Sequence, residues 1–277
     1  MSAYGGRYAE GKLRRDIVEV GRRMYHKGFI AASDGNISVR LTADRLLITP
    51  SGLHKGFLTP EQLVVTDLEG TLIPSYHPAR RNLKPSSELP MHLEAYRQRP
   101  DVRAVVHAHP PLATAFTIAG VSLARCVLPE VIYSLGGIPT AEYATPGTSA
   151  GAEIVRQLVR EHDAVLLDHH GVLTVGVDVY EAFMRLEQVE HAAAITLAAR
   201  QLGGIRPLPP GEEEKLREMR RRAMQAKGRD VCADCSVCQW GGRYEATGGT
   251  ALSRPSEELV ELVTQEVLKA LGRMSGA

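Results

Sequence analysis

The segment with the clearest structural signature in this chain is a short apolar run that ends in two histidines. Residues 104–106 are Ala-Val-Val, and prolines occupy positions 110 and 111. A β-branched run of this kind is typical of a buried strand, and proline ends it because proline lacks the N–H group of a sheet ladder. Residues two apart on a strand face the same side, so His107 and His109 project together. The pattern predicts that both side chains bind one ion.

A second histidine pair, His169-His170, stands directly before Gly171. One histidine from this pair, on a neighbouring strand, would complete three neutral nitrogen ligands and leave one coordination position open. Such a set is typical of a catalytic Zn²⁺ or a similar divalent metal. The residues alone do not separate His169 from His170.

Strand-like and helix-like segments intermix along the chain without a strict strand–helix–strand repeat. We therefore predict an α/β fold, a three-layer α/β/α domain with a central, largely antiparallel sheet. The predicted strands are 37–41, 45–49, 63–67, 104–109, 164–168 and 172–175. The predicted helices are 13–27, 88–99 (capped by Ser86 or Ser87), 112–119, 149–161, 179–201 (capped by Asp178) and 212–227.

Five short motifs occur in a fixed order along the first three quarters of the chain. They are Gly35-Asn36-Ile37-Ser38, Thr49-Pro50-Ser51-Gly52, Pro85-Ser86-Ser87-Glu88, His107-x-His109 and His170-Gly171. The set resembles the class II aldolase/adducin family, and within it the sugar-phosphate aldolases related to L-fuculose-1-phosphate and L-rhamnulose-1-phosphate aldolase. The resemblance implies the same three-layer fold and a homotetramer with active sites between subunits.

The resemblance also implies a role for each motif. The metal ligands would be His107, His109 and the histidine directly before glycine, His170, and Glu88 would accept and donate the proton. Further phosphate contacts of the family match Asn36, Ser51 and Gly52. Ser86 and Ser87 start the predicted helix 88–99, whose N-terminal N–H groups and dipole favour a phosphate.

The implied activity is cleavage of a deoxy-ketose 1-phosphate to dihydroxyacetone phosphate and an aldehyde such as lactaldehyde. In the fuculose-phosphate branch a catalytic tyrosine follows the histidine pair by about two dozen residues, and no tyrosine stands at that place here. Glu130 or Tyr133 lies nearby and could replace it. A sugar-phosphate epimerase, a methylthioribulose-phosphate dehydratase and a non-catalytic scaffold like the adducin head therefore stay open as alternatives.

Charge and hydropathy exclude several other classes. The formal net charge is only +1, whereas binding to a phosphate backbone requires a concentrated basic field. No stretch approaches the roughly 20 apolar residues of a membrane span, and the N-terminus lacks the apolar centre of a signal peptide. We therefore expect a cytoplasmic protein without nucleic-acid or membrane partners. The remaining histidines, among them His92, are isolated in sequence and are assigned to structure or solvent contact.

The last quarter of the chain has a different composition. We divide the chain into a catalytic domain (1–205), a charged helix with a cysteine-containing linker (206–255) and an amphipathic helix (256–277). Cys232, Cys235 and Cys238 could bind zinc, hold an iron–sulfur cluster or remain exposed thiols. The apolar stripe over 256–274 resembles an encapsulation peptide, which implies a shell or cargo protein of a bacterial microcompartment as partner. A helix that folds back or stabilises the oligomer is the alternative.

Overall fold

A computed structural model describes residues 7–123 and 127–226. Within these residues one seven-stranded sheet has the strand order β3-β2-β1-β4-β7-β6-β5. Every neighbouring pair is antiparallel except β5 and β6. The strands are β1 Asn36–Arg40, β2 Arg45–Ile48, β3 Val64–Asp67, β4 Ala104–Ala108, β5 Thr140–Ala141, β6 Ala164–Leu167 and β7 Gly171–Gly176. The predicted fold class is confirmed.

Helices cover both faces of this sheet and give the three layers. The first face packs against α1, α3 and α6, and the second packs against α2 and α5. The helices in the described part of the chain are α1 Arg7–His26, α2 Leu89–Gln98, α3 Pro111–Ile118, α4 Pro129–Ser134, α5 Ser149–Leu158, α6 Val179–Gln201 and α7 Glu212–Gln225. Asp178 caps α6 as predicted, because its side chain accepts the N–H of Glu181.

Alternation along β4 decides where the catalytic candidates lie. Ala104 and Val106 belong to the core that α6 covers, whereas Val105 belongs to the core that α2 covers. Because side chains alternate along a strand, His107 shares the face of Val105. The start of α2, which carries Glu88 at its N-cap, lies over this same face.

Helix α7 packs on α4, and one of its arginines reaches a buried carboxylate of the domain. Oxygens of Asp163 lie 3.0 Å from a guanidinium nitrogen of Arg99, 3.2 Å from one of Arg185 and 3.5 Å from one of Arg220. Asp163 is 1% exposed. Arg220 belongs to α7, so a helix that the sequence analysis places in a separate segment contacts the predicted catalytic domain.

Several predictions fall on residues that the structure does not describe. Cys126, the cysteines at 232, 235 and 238, and the amphipathic segment 256–274 lie outside the described residues. Among the helices that are described, none has the length and apolarity to cross a membrane.

Candidate metal centre

Three histidine side chains converge at one end of the sheet. His107 lies on β4, His109 follows the end of that strand, and His170 lies in the turn between β6 and β7. One nitrogen of each ring lies within 4.8 Å of the others. The Nε2 atoms of His107 and His109 are 3.1 Å apart. The fold thus brings together the three histidines that were predicted as metal ligands.

The structure also separates the two adjacent histidines of the β6–β7 turn. The side chain of His170 is 12% exposed, and its Nε2 lies 3.1 Å from Oε1 of Glu88. His169 has a φ of 53°, and its Nδ1 lies 3.0 Å from Oδ1 of Asp168. Of this pair, His170 therefore faces the cluster.

Gly171 allows this turn to approach the end of β4. A Cβ atom at position 171 would lie 2.3 Å from the carbonyl oxygen of Ala108 and 2.7 Å from Cδ2 of His109. Neither contact is tolerated, so a side chain here would push His170 away from the other two histidines. The His-Gly pair of the sequence thus has a packing reason.

Lone pairs meet at the centre of the cluster. Nδ1 of His107 lies 2.9 Å from the carbonyl oxygen of Val172, which only accepts hydrogen bonds, so Nδ1 carries the proton and Nε2 carries the lone pair. Nδ1 of His109 lies 3.5 Å from Oδ2 of Asp34, which orients the Nε2 of His109 towards the centre as well. Partners of this kind on the second ring nitrogen are usual for metal-binding histidines.

Glu88 completes the cluster with a carboxylate. Its Oε2 lies 3.2 Å from Nε2 of His107 and accepts a hydrogen bond from Nδ2 of Asn36 at 2.6 Å. Its Oε1 is buried and faces Nε2 of His170 at 3.1 Å. Burial alone would raise the pKa of Glu88, but the neighbouring imidazoles of His107 and His170 lower it well below its usual range.

The electrostatics of the cluster favour one cation at its centre. Burial opposes protonation of His107, yet the carboxylate of Glu88 outweighs burial and raises the pKa of His107. Burial and the charges of His107 and His170 lower the pKa of His109 to about 4. The site therefore attracts positive charge but does not tolerate a proton on every ring. Three imidazole nitrogens with a carboxylate beside them fit a divalent metal such as Zn²⁺.

The loops that carry the phosphate candidates lie side by side next to this cluster. The N–H of Ser51 donates to the carbonyl of Lys84 at 2.9 Å, and the N–H of Ser86 donates to the carbonyl of Thr49 at 3.2 Å. Ser51, Gly52 and Ser87 are exposed. Gly52 has a φ of +75°, a conformation that favours glycine.

The first turn of α2 differs from the prediction. The structure places Glu88 at the N-cap rather than Ser86 or Ser87, and the Glu88 side chain makes no cap hydrogen bond. Ser86 accepts the N–H of Glu88 with its hydroxyl and the N–H of Leu89 with its carbonyl. The helix terminus therefore has fewer N–H groups for a phosphate than the sequence suggests, because Ser86 already binds two of them.

Sequence reasoning missed several residues that contact the site. Asp34 orients His109, and His92 contacts the amide of Asn36 within the protein core. The signal for His92 was its spacing, since it follows Glu88 by four residues and so lies one helical turn away on the same face of α2. Lys55 is 2% exposed and donates to the carbonyl of Ser33, so it supports the loop that carries Asp34.

Glu130 and Tyr133, the two candidates for the family tyrosine, lie on α4. Both are exposed, Tyr133 by 44%. Tyr133 lines a groove together with Met184 and Gln188, and the lining of that groove includes none of the three histidines.

A buried, largely antiparallel sheet between helical layers, with three histidines and a glutamate at one end, is typical of metal-dependent α/β enzymes. Residues 15–197 match the model of the family described as class II aldolase and adducin N-terminal domain. The chain belongs to this family, and the prediction made from its five motifs is confirmed. The prediction of an enzyme of the class II aldolase type is confirmed by the relatives as well.

Three relatives of this chain are named for three different activities. An L-fuculose phosphate aldolase of Methanococcus maripaludis is 33% identical over 65% of this chain and 93% of its own length. A 5-deoxy-D-ribulose 1-phosphate aldolase of Bacillus thuringiensis is 34% identical over 74% and 93%. A 3-oxo-tetronate 4-phosphate decarboxylase of Escherichia coli is 31% identical over 75% and 96%.

Solved structures agree with the sequence relatives. An L-fuculose 1-phosphate aldolase superposes with a TM-score of 0.67 at 30% identity, covering 75% of this chain and 95% of that one. The fold and the family are therefore shared, whereas the relatives differ in substrate and, for the decarboxylase, in reaction.

Proposed function

We propose that this protein is a metal-dependent lyase that cleaves a carbon–carbon bond of a deoxy-ketose 1-phosphate, yielding dihydroxyacetone phosphate and an aldehyde such as lactaldehyde. One observation carries the proposal: the three histidines converge beside the carboxylate of Glu88, whose Oε2 lies 3.2 Å from Nε2 of His107 and whose Oε1 lies 3.1 Å from Nε2 of His170. This arrangement offers a cation site and a proton acceptor at the same point. Relatives named as aldolases for phosphorylated ketoses support the substrate class.

A divalent cation, for which we propose Zn²⁺, would supply Lewis-acid stabilisation of the negative charge that develops on the substrate oxygens. His107, His109 and His170 would hold it. Glu88 takes the proton from the substrate hydroxyl at Oε1 and returns it to the product. The carboxylate is suited to this step by its position, because it is buried and directed at the centre of the site.

The phosphate is assigned to the paired loops around Ser51 and Ser87. Their exposed hydroxyls and the exposed backbone at Gly52 offer donors beside Glu88. Ser86 contributes by holding the start of α2 in place. Asn36 keeps one amide hydrogen beyond the one it donates to Glu88, and this hydrogen is assigned to the substrate phosphate.

Decarboxylation of a phosphorylated oxo acid is the second candidate. It is favoured by the Escherichia coli relative, which aligns over 75% of this chain. The two candidates place different demands on Glu88, because decarboxylation of an oxo acid needs no proton acceptor to start bond cleavage. An assay that offers both substrate classes separates them.

The proposal extends to assembly and location. A homotetramer would bring α4 of one subunit, with Glu130 and the exposed Tyr133, to the site of another. The segment 256–274 is proposed to bind a microcompartment shell or cargo protein. Deletion of 256–277 should leave turnover and the number of subunits unchanged and abolish co-sedimentation with shell protein, whereas a loss of the tetramer would assign the segment to assembly.

The proposed role of Glu88 is tested with Glu88→Gln, which keeps the shape of the side chain and removes its charge. We expect kcat to fall by a factor of about 10² to 10⁴, as for other general bases, with metal content unchanged. Glu94→Gln is the matched control, because Glu94 is a buried glutamate of the same helix that pairs with Arg97 and Arg156. Equal loss of metal in Glu88→Gln would make Glu88 mainly a ligand and contradict its role in proton transfer.

A further inference from the structure

A buried chain of polar groups leads from Glu88 away from the histidine cluster. Nδ2 of Asn36 lies 2.6 Å from Oε2 of Glu88, and Oδ1 of Asn36 lies 2.5 Å from Nε2 of His92. On the other side, Nδ1 of His92 lies 2.6 Å from Oγ of Ser38, which lies 2.8 Å from the hydroxyl of Tyr96. The four residues beyond Glu88 are at most 3% exposed.

The chain of polar groups arises because a four-residue spacing on α2 faces a two-residue spacing on β1. Glu88, His92 and Tyr96 are spaced by four residues, so they lie along one side of α2 and its N-cap. Asn36 and Ser38 are two apart on β1 and therefore share the sheet face that α2 covers. Each polar group on the helix thus meets a polar group on the strand.

The direction of every hydrogen bond follows from Glu88. An ionised carboxylate only accepts, so the amide nitrogen of Asn36 must face it, and the amide oxygen must face His92. His92 then donates from Nε2 and accepts at Nδ1. Ser38 donates its hydroxyl hydrogen to that Nδ1 and accepts the hydrogen of Tyr96. All donors therefore point towards Glu88.

Burial keeps this arrangement in one protonation state. It lowers the pKa of His92 to about 3, so the ring is neutral and has a single proton to place. If that proton were on Nδ1, the ring would present a lone pair to Oδ1 of Asn36. The amide would then turn its oxygen towards the carboxylate, which is repulsive in a buried site.

We propose that His92 is a positioning residue that fixes the Asn36 amide on Oε2 of Glu88 and so leaves Oε1 as the oxygen that exchanges the substrate proton. The inference rests on the proposed lyase function, in which Glu88 carries that proton. It gives a role to a histidine that looks isolated in the sequence. It also explains why the two Glu88 oxygens differ, since Oε2 accepts from the Asn36 amide while Oε1 faces His170 in the histidine cluster.

Kinetics of the full-length, zinc-loaded enzyme test the proposal. His92→Leu and Ser38→Ala should lower kcat about 10- to 100-fold, the usual effect of losing a group that orients a catalytic side chain, without changing KM or zinc content. His92→Gln places an amide N–H near the position of Nε2 and should recover most of the loss. Met91→Leu is the matched control, because Met91 is a buried residue of α2 outside the polar chain. Wild-type kcat in His92→Leu would overturn the proposal.

A second measurement does not depend on turnover. The ¹⁵N shifts of the His92 ring should show a neutral imidazole protonated on Nε2 in the wild type and a mixture of tautomers in Ser38→Ala. A proton on Nδ1, or a cationic ring at neutral pH, would overturn the proposed direction of the chain. If the wild type cleaves no ketose phosphate, the proposed lyase function is wrong. The His92 tautomer still shows whether the hydrogen bonds from Tyr96 to Glu88 run in the proposed direction.

Discussion

At the scale of single residues, two acceptors outside the cluster decide which nitrogen of each ring faces its centre. The carbonyl of Val172 fixes His107, and the carboxylate of Asp34 orients His109. The first acceptor is part of the backbone and is secured by the pairing of β4 with β7. The second is a side chain on a loop, so it can be removed without changing the sheet.

Asp34→Ala should weaken metal binding about 10- to 100-fold, because His109 loses the partner of its second nitrogen. The dissociation constant is measured by competition with a chelating dye. Asp34→Asn keeps an acceptor oxygen but no charge, so its dissociation constant should lie between those of Asp34→Ala and the wild type. Asp44→Asn, at an exposed turn, is the control. An unchanged constant in Asp34→Ala would show that His109 is oriented by other contacts.

At the scale of elements, the centre depends on how closely β7 approaches the end of β4. The contact is set by Gly171, where any Cβ would meet the Ala108 carbonyl at 2.3 Å. Because His170 precedes this glycine, the distance between the two strands also sets the distance between His170 and the other ligands.

Gly171→Ala should therefore lower both stability and metal affinity. Overpacking of a tight contact typically costs about 1–3 kcal/mol, to be measured as the free energy of unfolding in urea. Gly151→Ala is the control, because Gly151 lies inside α5 and its nearest contact would be 3.9 Å away; it should be neutral or slightly stabilising. A Gly171→Ala protein that keeps both stability and affinity would contradict the packing argument.

The elements also show what a sequence can and cannot predict. Strands such as β4 and helices such as α6 were predicted within one or two residues, because their apolar periodicity is long or sharply bounded. The two-residue β5 and the six-residue α4 were missed, since neither is long enough to show a period. The contacts of Asn36 with Glu88 and His92 were missed for another reason: they depend on the packing of α2 against β1, which no local pattern contains.

At the scale of the whole molecule, the buried carboxylate of Asp163 joins three helices through their arginine side chains. It lies beside guanidinium groups from the end of α2, from α6 and from α7. Arg99, Arg185 and Arg220 are themselves largely buried. A carboxylate shared by three buried cations cannot be removed without leaving positive charges that repel one another.

Asp163→Ala should therefore lower the free energy of unfolding by about 3–5 kcal/mol, the usual cost of breaking a buried ion pair. Asp101→Ala is a matched control, because the more exposed Asp101 also pairs with Arg99 and should cost no more than about 1 kcal/mol. Urea unfolding monitored by circular dichroism measures both. Equal, small losses would mean that the arginines are stabilised mainly by backbone carbonyls.

The central claim is that three histidines and Glu88 form a metal-dependent carbon–carbon lyase site. It is tested most directly by measuring dihydroxyacetone phosphate released from L-fuculose, L-rhamnulose and 5-deoxy-D-ribulose 1-phosphates before chelation, after chelation and after return of Zn²⁺. We expect release from at least one substrate, loss on chelation and recovery with about one metal ion per chain. Release that persists in metal-depleted protein, or a metal-loaded protein that cleaves none of these substrates, would contradict it.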